Sequence, residues 1–323
     1  MIDAKIPVLQ YFLKLEKPSE LSFILNTSDE LIFSSIKSPI YNEFSIPKKN
    51  GKSRKIQSPS PDLKNIQKRL CYLLQEIYSR MQPAMVHGYV KSNFLEYPNK
   101  SIITNAKAHV GKKFVLNLDI NDFFGSITYK HIFKLFRGSP FNFPEQLAAA
   151  TSLLCTYNGK LPQGAPTSPV LSNLVFRKLD ENIFNFCQAF NITYTRYADD
   201  LTFSTNEPAF GITAMTTFKN QIEKYLSVGN FKLNEEKICL RTDKQKQIVT
   251  GIKVNKKLNL DRTYKKQVRA MLHDCRKNGL EKAAEKYFMK WRPNEKVDPV
   301  KFLEILKGKL AFIESVEKWN NKK

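Results

Sequence analysis

The 323-residue chain has only five cysteines. Cys71, Cys155, Cys187, Cys239 and Cys275 lie far apart and form no CxxC pair. That spacing excludes a disulfide framework or a zinc knuckle as the basis of the fold. Long apolar runs are also missing. The most apolar stretch, around Leu147 to Cys155, falls far short of the ~20 apolar residues that a spanning helix needs. The N-terminal MIDAKIPVLQ lacks the basic-then-apolar order of a secretory leader, and no period of ~20–50 residues recurs, which excludes solenoids and propellers. Acidic residues are scarce, with 30 Asp plus Glu against 52 Lys plus Arg, a formal net charge of +22. So large an excess repels itself in the compact state and points to a polyanionic partner, nucleic acid before a membrane surface. The composition is otherwise ordinary: 42% hydrophobic and 25% charged residues provide for a packed core. The reading is a reduced, cytoplasmic, soluble, basic protein with no membrane partner.

Apolar periodicity organises the chain. Residues 1–40 hold two weakly apolar helical stretches, roughly Val8 to Leu15 and Asp29 to Ile36. YNEFSIPKKNGKSRKIQSP then alternates strand-like residues around a Lys-Lys-Asn-Gly turn, a hairpin with a strongly basic tip. From Pro61 onward, Leu63, Ile66, Leu70, Leu73, Leu74, Ile77 and Met81 keep helical spacing. In FVLNLDINDFF, Phe114, Leu116, Leu118 and Ile120 share one strand face, which sends Asn117 and Asp119 to the other. Pro162, Gly164, Pro166 and Pro169 mark a loop before a helical stretch, Val170 to Phe186, and ITYTRYADDLTFST reads as two strands joined by a tight turn. Beyond a boundary near Asn255 the chain is helical and basic, clearest over Tyr264 to Arg276 and Pro299 to Lys318. Strands interleaved with helices, followed by a helical tail, define an α+β class.

Within this basic chain the acidic residues at 119, 199 and 200 carry the chemistry. Two adjacent carboxylates, Asp199 and Asp200, flanked by Tyr197, Ala198, Leu201 and Phe203, repel each other and lose hydration unless a cation compensates. Asp119 stands on the polar face of an otherwise apolar strand. Hard oxygen ligands of this kind suit Mg²⁺, which completes its shell with substrate phosphates. Together the three carboxylates fit a two-metal phosphoryl-transfer site.

These residues carry a resemblance. Tyr197-Ala198-Asp199-Asp200 resembles the YxDD element of reverse transcriptases, Asp119 in LDINDFF resembles their first catalytic aspartate, and LPQGAPTSP (Leu161 to Pro169) resembles the motif between them. The three occur in the family's order, with the basic IPKKNGKSRKI upstream, and the likeness runs from about Ile46 to Phe312. Asn105-Ala106-Lys107-Ala108-His109 matches the NAxxH element of retron reverse transcriptases, Val249-Thr250-Gly251 matches their VTG element, and GKLAFIESV resembles their thumb.

The resemblance implies a right-hand polymerase: a helical extension over 1–40, fingers and an antiparallel palm over 41–254, and a helical thumb over 255–323. It implies that Asp119, Asp199 and Asp200 hold two Mg²⁺ ions, with the Ile120 carbonyl as a further ligand. For the dNTP it implies a triphosphate clamp at Lys52 and Arg54, backbone N–H contacts at Asp122 and Phe123, exclusion of the ribose 2′-hydroxyl by Phe124, and a base-pair and sugar contact at Gln163. It also implies that Gly164 lets the backbone approach the template and that Lys237 protonates pyrophosphate. Asn105, His109, Val249, Thr250 and Gly251 are its candidates for recognising RNA or organising the residues that do. The implied partners are a cognate structured noncoding RNA serving as template and 2′-hydroxyl primer, its branched DNA product, dNTPs and an effector protein of an anti-phage system. No segment is left for an RNase H domain, so RNA removal is expected to fall to another enzyme. Two alternatives stay open on sequence: a group II intron-like or diversity-generating reverse transcriptase, and a non-catalytic RNA-binding protein with a polymerase shell.

Overall fold

The computed structural model describes residues 5–47, 51, 53–81, 84–91, 100–208, 210 and 212–321. Three short helices open the chain: α1 (Lys5–Leu13), α2 (Glu20–Ile24) and α3 (Asp29–Lys37). The Ser28 hydroxyl caps α3 by accepting from the Leu31 amide. Arg69 then donates through Nη1 to the carbonyls of Leu25 and Asn26, satisfying groups that the end of α2 leaves free. Next comes an antiparallel ribbon of β1 (Tyr41–Pro47) and β2 (Ser53–Pro59), the basic hairpin expected from sequence. Its Lys48, Lys49 and Lys52 lie outside the described residues.

Helix α4 (Pro61–Met81) follows the stripe that its leucines predict. Beyond it lie α5 (Ile102–Lys107), β3 (Phe114–Asp119), α6 (Phe123–Ser126), α7 (Tyr129–Arg137), α8 (Glu145–Cys155), α9 (Ser168–Ala189), β4 (Thr193–Tyr197), β5 (Asp200–Thr205) and α10 (Ile212–Val228). A 3₁₀ turn, Glu235–Lys237, leads into β6 (Cys239–Thr242), and the hairpin of β7 (Ile248–Val249) and β8 (Ile252–Lys253) comes after it. The last helices are α11 (Arg262–Trp291) and α12 (Pro299–Asn321). The helix expected over Tyr264 to Arg276 thus runs further, but it breaks at Gly279, whose φ of +80° with an extended ψ is non-helical and suits a residue without Cβ.

The central sheet is antiparallel in the order β4-β5-β3-β6. Its register sends Leu116, Leu118, Leu201, Phe203 and Tyr194 to one face, where they join the main core with α4, α7, α8, α9 and α10. The opposite face carries Asp119 and Asp200 at one end and Val115, Ser204 and Thr195 further along. There a second apolar cluster joins Val115 to Ile103 and Ala106 of α5, to Val249 and Ile252, and to Val316 of α12. The face opposite the main core is thus packed by this cluster at one end and bears the carboxylates at the other. A third cluster, including Val268, Met271, Phe288, Phe302 and Leu306, packs the two halves of α11 against α12.

Candidate active site

Asp119 ends β3 and faces Asp200 across the β3–β5 ladder. Asp199 sits in the two-residue turn between Tyr197 and Asp200, the closing pair of the β4–β5 hairpin. Ala198, the first turn residue, has a φ of +58°. For a residue with a Cβ that conformation costs about 1–2 kcal/mol. It lets neighbouring carboxylates converge where a continuous strand would part them. Ligand oxygens of Asp119, Asp199 and Asp200 lie within 4.8 Å of one another, the one such group of three among the described residues.

The electrostatics are those of an anion cluster only partly offset by nearby cations. Burial, then the Asp119 charge, raises the Asp199 pKa. Burial, then the charges of Asp199 and Asp119, pushes Asp200 up to about 7. Asp119 is buried and held on both oxygens: Lys237 Nζ donates to Oδ1 at 2.6 Å and Asn234 Nδ2 to Oδ2 at 3.3 Å. Burial works against the Lys237 charge, but its bond to Asp119 and the fields of all three aspartates outweigh that and hold its pKa above the usual value. An all-oxygen donor set, with raised pKa values at Asp199 and Asp200 and a lysine drawn onto Asp119, fits a divalent cation.

Across the cleft, a cavity of about 370 Å³ is lined by Arg54, Asp122, Phe124, Gly125, Lys160 and Gln163 among others. Arg54 is exposed on β2, and its charge slightly opposes the rise that burial and Asp119 impose on the Asp199 pKa. Phe123 is buried against Phe176 and Phe231, whereas Phe124 is half-buried between Phe123 and Tyr89. Asp122 is exposed, with a φ of +42°. Its carboxylate folds over Gly125, where a Cβ would stand 2.1 Å from Oδ2. The Gln57 amide donates to the Gln163 carbonyl at 2.8 Å. At Gly164, φ is +135° and a Cβ would lie 2.8 Å from the Gln57 carbonyl oxygen. The close approach this glycine permits is thus to β2, which ties the LPQG loop to the basic ribbon.

The NAxxH and VTG elements meet away from the carboxylates. Asn105 and His109 are fully buried. The His109 ring bonds the hydroxyls of Ser204 at 2.6 Å and Thr195 at 2.7 Å, and burial lowers its pKa to about 3, so it is neutral. Val249 is buried, and Thr250 and Gly251 form a two-residue turn with φ of +45° and +82°. The Thr250 hydroxyl donates to the Ile102 carbonyl at the start of α5. His109 thus holds β4 and β5 from the covered face, and Thr250 ties the β7–β8 turn to the start of α5.

Three functional positions escape the sequence reading. Asn234 secures Asp119, a role no local pattern signals. Tyr89 is 37% exposed beside Phe124, and burial, then Asp199, raises its pKa. Arg196, fully buried, lies beneath the carboxylate turn. A charge among the strand residues ITYTRY was the available clue.

A carboxylate triad at one end of an antiparallel sheet, near the Arg54 side of the basic ribbon, has the donor set that two-metal phosphoryl transfer uses. The family model "Reverse transcriptase (RNA-dependent DNA polymerase)" matches residues 46–304. The Retron Mx65 reverse transcriptase of Myxococcus xanthus is 34% identical over 72% of this chain and 55% of its own length. The Retron Ec86 reverse transcriptase of Escherichia coli is 30% identical over 72% of this chain and 69% of its own. A telomerase structure from Candida albicans, in complex with a telomeric RNA fragment, aligns with a TM-score of 0.45 at 12% identity, over 84% of this chain and 59% of that one. The chain belongs to the reverse transcriptase family, among its retron-type members. It spans a little over half the length of the Mx65 relative. Among the described residues no helix is long and apolar enough to cross a membrane.

Proposed function

We propose that this chain is a cytoplasmic RNA-directed DNA polymerase. It copies a cognate structured noncoding RNA, primed from an internal 2′-hydroxyl, into a branched RNA–DNA hybrid (msDNA), and it serves an anti-phage system beside an effector protein. The observation that carries the chemistry is the convergence of Asp119, Asp199 and Asp200 within 4.8 Å. Asp119, Asp199 and Asp200, with the Ile120 carbonyl as a further ligand, would hold two Mg²⁺ ions, which would supply activation of the primer hydroxyl and charge stabilisation of the leaving pyrophosphate.

The remaining work belongs to the chain. Arg54, through its bidentate fork, and Lys52 grip the triphosphate from the fingers, while the backbone N–H groups of Asp122 and Phe123 meet it from the palm. Phe124 fills the space a ribose 2′-hydroxyl needs, so dNTPs are selected over NTPs. Gln163 lies along the nascent base pair and sugar. Lys237, whose pKa is raised while it touches Asp119, gives a proton to the leaving pyrophosphate oxygen as the α–β phosphoanhydride bond breaks and the new ester bond to the primer hydroxyl forms. In this reading residues 1–40 brace the fingers and palm (41–254), and the thumb (255–323) grips the duplex by its phosphates with Lys265, Lys266, Arg269, Arg276 and Lys277. Asn105, His109 and Val249 to Gly251 serve RNA recognition by organising α5 and the thumb base, since burial leaves Asn105 and His109 no surface for RNA.

The test is to purify the protein from its host, sequence the RNA and DNA that accompany it, and measure dNTP incorporation on that RNA and on a generic primed RNA. Mg²⁺-dependent extension from an internal 2′-hydroxyl of one co-purified RNA is expected. Activity that persists in excess chelator, or equal use of any primed RNA, contradicts the reading.

A further inference from the structure

Arg196 lies on the core-facing side of β4 and is fully buried with Asp180 of α9. Its guanidinium grips that carboxylate as a fork, Nε to Oδ1 at 2.8 Å and Nη2 to Oδ2 at 2.6 Å. Tyr194 Oη donates to the same carboxylate at 2.8 Å, and the Phe176 ring centroid lies 4.7 Å from the guanidinium carbon. Nη1 is left to face the turn: it donates to Asn173 Oδ1 at 3.1 Å and to the Ala198 carbonyl at 3.0 Å. Asn173 Nδ2 in turn donates to the Gly88 carbonyl at 2.9 Å. Gly88 sits so close that a Cβ there would stand 2.5 Å from the Ala198 nitrogen.

The consequence concerns Asp199. Its preceding carbonyl, on Ala198, is held by Arg196, and its own carbonyl accepts from the Ile120 amide at 3.0 Å. Both peptide groups flanking the carboxylate are therefore fixed. Ala198 would leave its left-handed conformation if the first were released, because a residue with a Cβ is not at rest there. A buried ion pair is a poor source of net stability, but it can enforce one geometry.

We propose that the Arg196–Asp180 pair, braced by Asn173, is the positioning element that sets the Asp199 carboxylate for divalent-cation binding by clamping the Ala198 carbonyl. The proposal rests on the reading of the three aspartates as the metal site. Arg196 acts through the turn and touches neither metal nor substrate.

Mn²⁺ titrated into the full-length chain, with free ion read by electron paramagnetic resonance, tests it alongside thermal melting. Wild type is expected to bind and Asp199→Asn to lose the site. If the two bind alike, the metal-site reading fails and the clamp with it. Arg196→Lys keeps a charge for Asp180 but not the reach to Ala198, and is expected to weaken Mn²⁺ affinity about tenfold, the scale of one lost charge-assisted hydrogen bond. Adding Ala198→Gly to Arg196→Lys should restore affinity to within about threefold of wild type, because glycine adopts the turn unaided, while the melting temperature stays low. A merely structural role for Arg196 would leave affinity tracking stability. Should Arg196→Lys fail to fold, Asn173→Ala, which spares the ion pair, is expected to weaken affinity about threefold. Wild-type affinity in whichever of these two variants folds overturns the proposal.

Discussion

Asp119 and Asp200 are cross-strand partners in the β3–β5 ladder, so their side chains leave the sheet on the same face. The pairing brings together residues 81 positions apart, 200 − 119, and the turn adds Asp199 to them.

Removing one carboxylate should remove the reaction and not the fold. Asp199→Asn and Asp200→Asn are each expected to abolish DNA synthesis and to leave RNA affinity within about threefold of wild type, since phosphate contacts by the basic surface dominate that affinity. Single-nucleotide incorporation and filter binding check this.

The raised Asp200 pKa has a signed consequence for stability. Its folded value of about 7 lies above the ordinary carboxyl range, so the folded metal-free protein binds more protons than the unfolded chain between roughly pH 4 and 7. This group's contribution is fully favourable below that window and is lost as pH rises through it. Metal-free protein should therefore melt at higher temperature as pH falls from 7 toward 5 wherever this group dominates, and saturating Mg²⁺ should reduce that slope. Melting curves with metal and with chelator read both.

Lys237→Gln should lower the rate of nucleotide addition by about 10²-fold, the lower end of general-acid effects. The same change should tighten Mn²⁺ binding, because it removes the cation that now bonds Asp119. Lys237→Arg should keep part of the rate. Pre-steady-state incorporation and metal titration separate the two effects.

Phe124→Ala should admit NTPs by opening the cavity beside Tyr89. Competition between dNTP and NTP on one template reads it, and unchanged sugar selectivity would remove Phe124 from that role.

Thr250→Val tests whether the VTG turn acts by support. Losing the bond to the Ile102 carbonyl should destabilise by about 1–3 kcal/mol, seen as a lower melting temperature at all RNA concentrations. Weaker RNA binding with unchanged melting would instead mark a direct contact.

Much of this site is legible in sequence because it is local. Alternation along Phe114 to Ile120 assigns Asp119 its face, and the Asp-Asp pair between β-branched runs assigns the turn. The apolar spacing from Leu63 to Met81 marks the helix observed as α4, Pro61–Met81. The rest depends on distant packing. Strands β6, β7 and β8 have four, two and two residues, too few for a period to show. Val115 is buried because α5, β7, β8 and α12 close over it, which its own strand does not announce. Asn105 and His109 read as RNA-recognition candidates, and their burial beneath β4 and β5 appears only in three dimensions. Asn234 and Tyr89 owe their roles to partners more than 100 residues away, and Arg196 reaches the nearby Ala198 carbonyl only because Asp180 and Asn173, 16 and 23 residues away, hold it.

The central claim of the proposed function is that the three aspartates, brought together by strand register and turn, hold a divalent cation where DNA is extended. Anomalous scattering from crystals of the chain with RNA template–primer, dNTP and Mn²⁺ tests it most directly. The account predicts peaks in contact with both Asp119 and Asp199, next to the triphosphate. Peaks elsewhere, or an Asp119 carboxylate apart from the Tyr197–Asp200 turn in that complex, would contradict it.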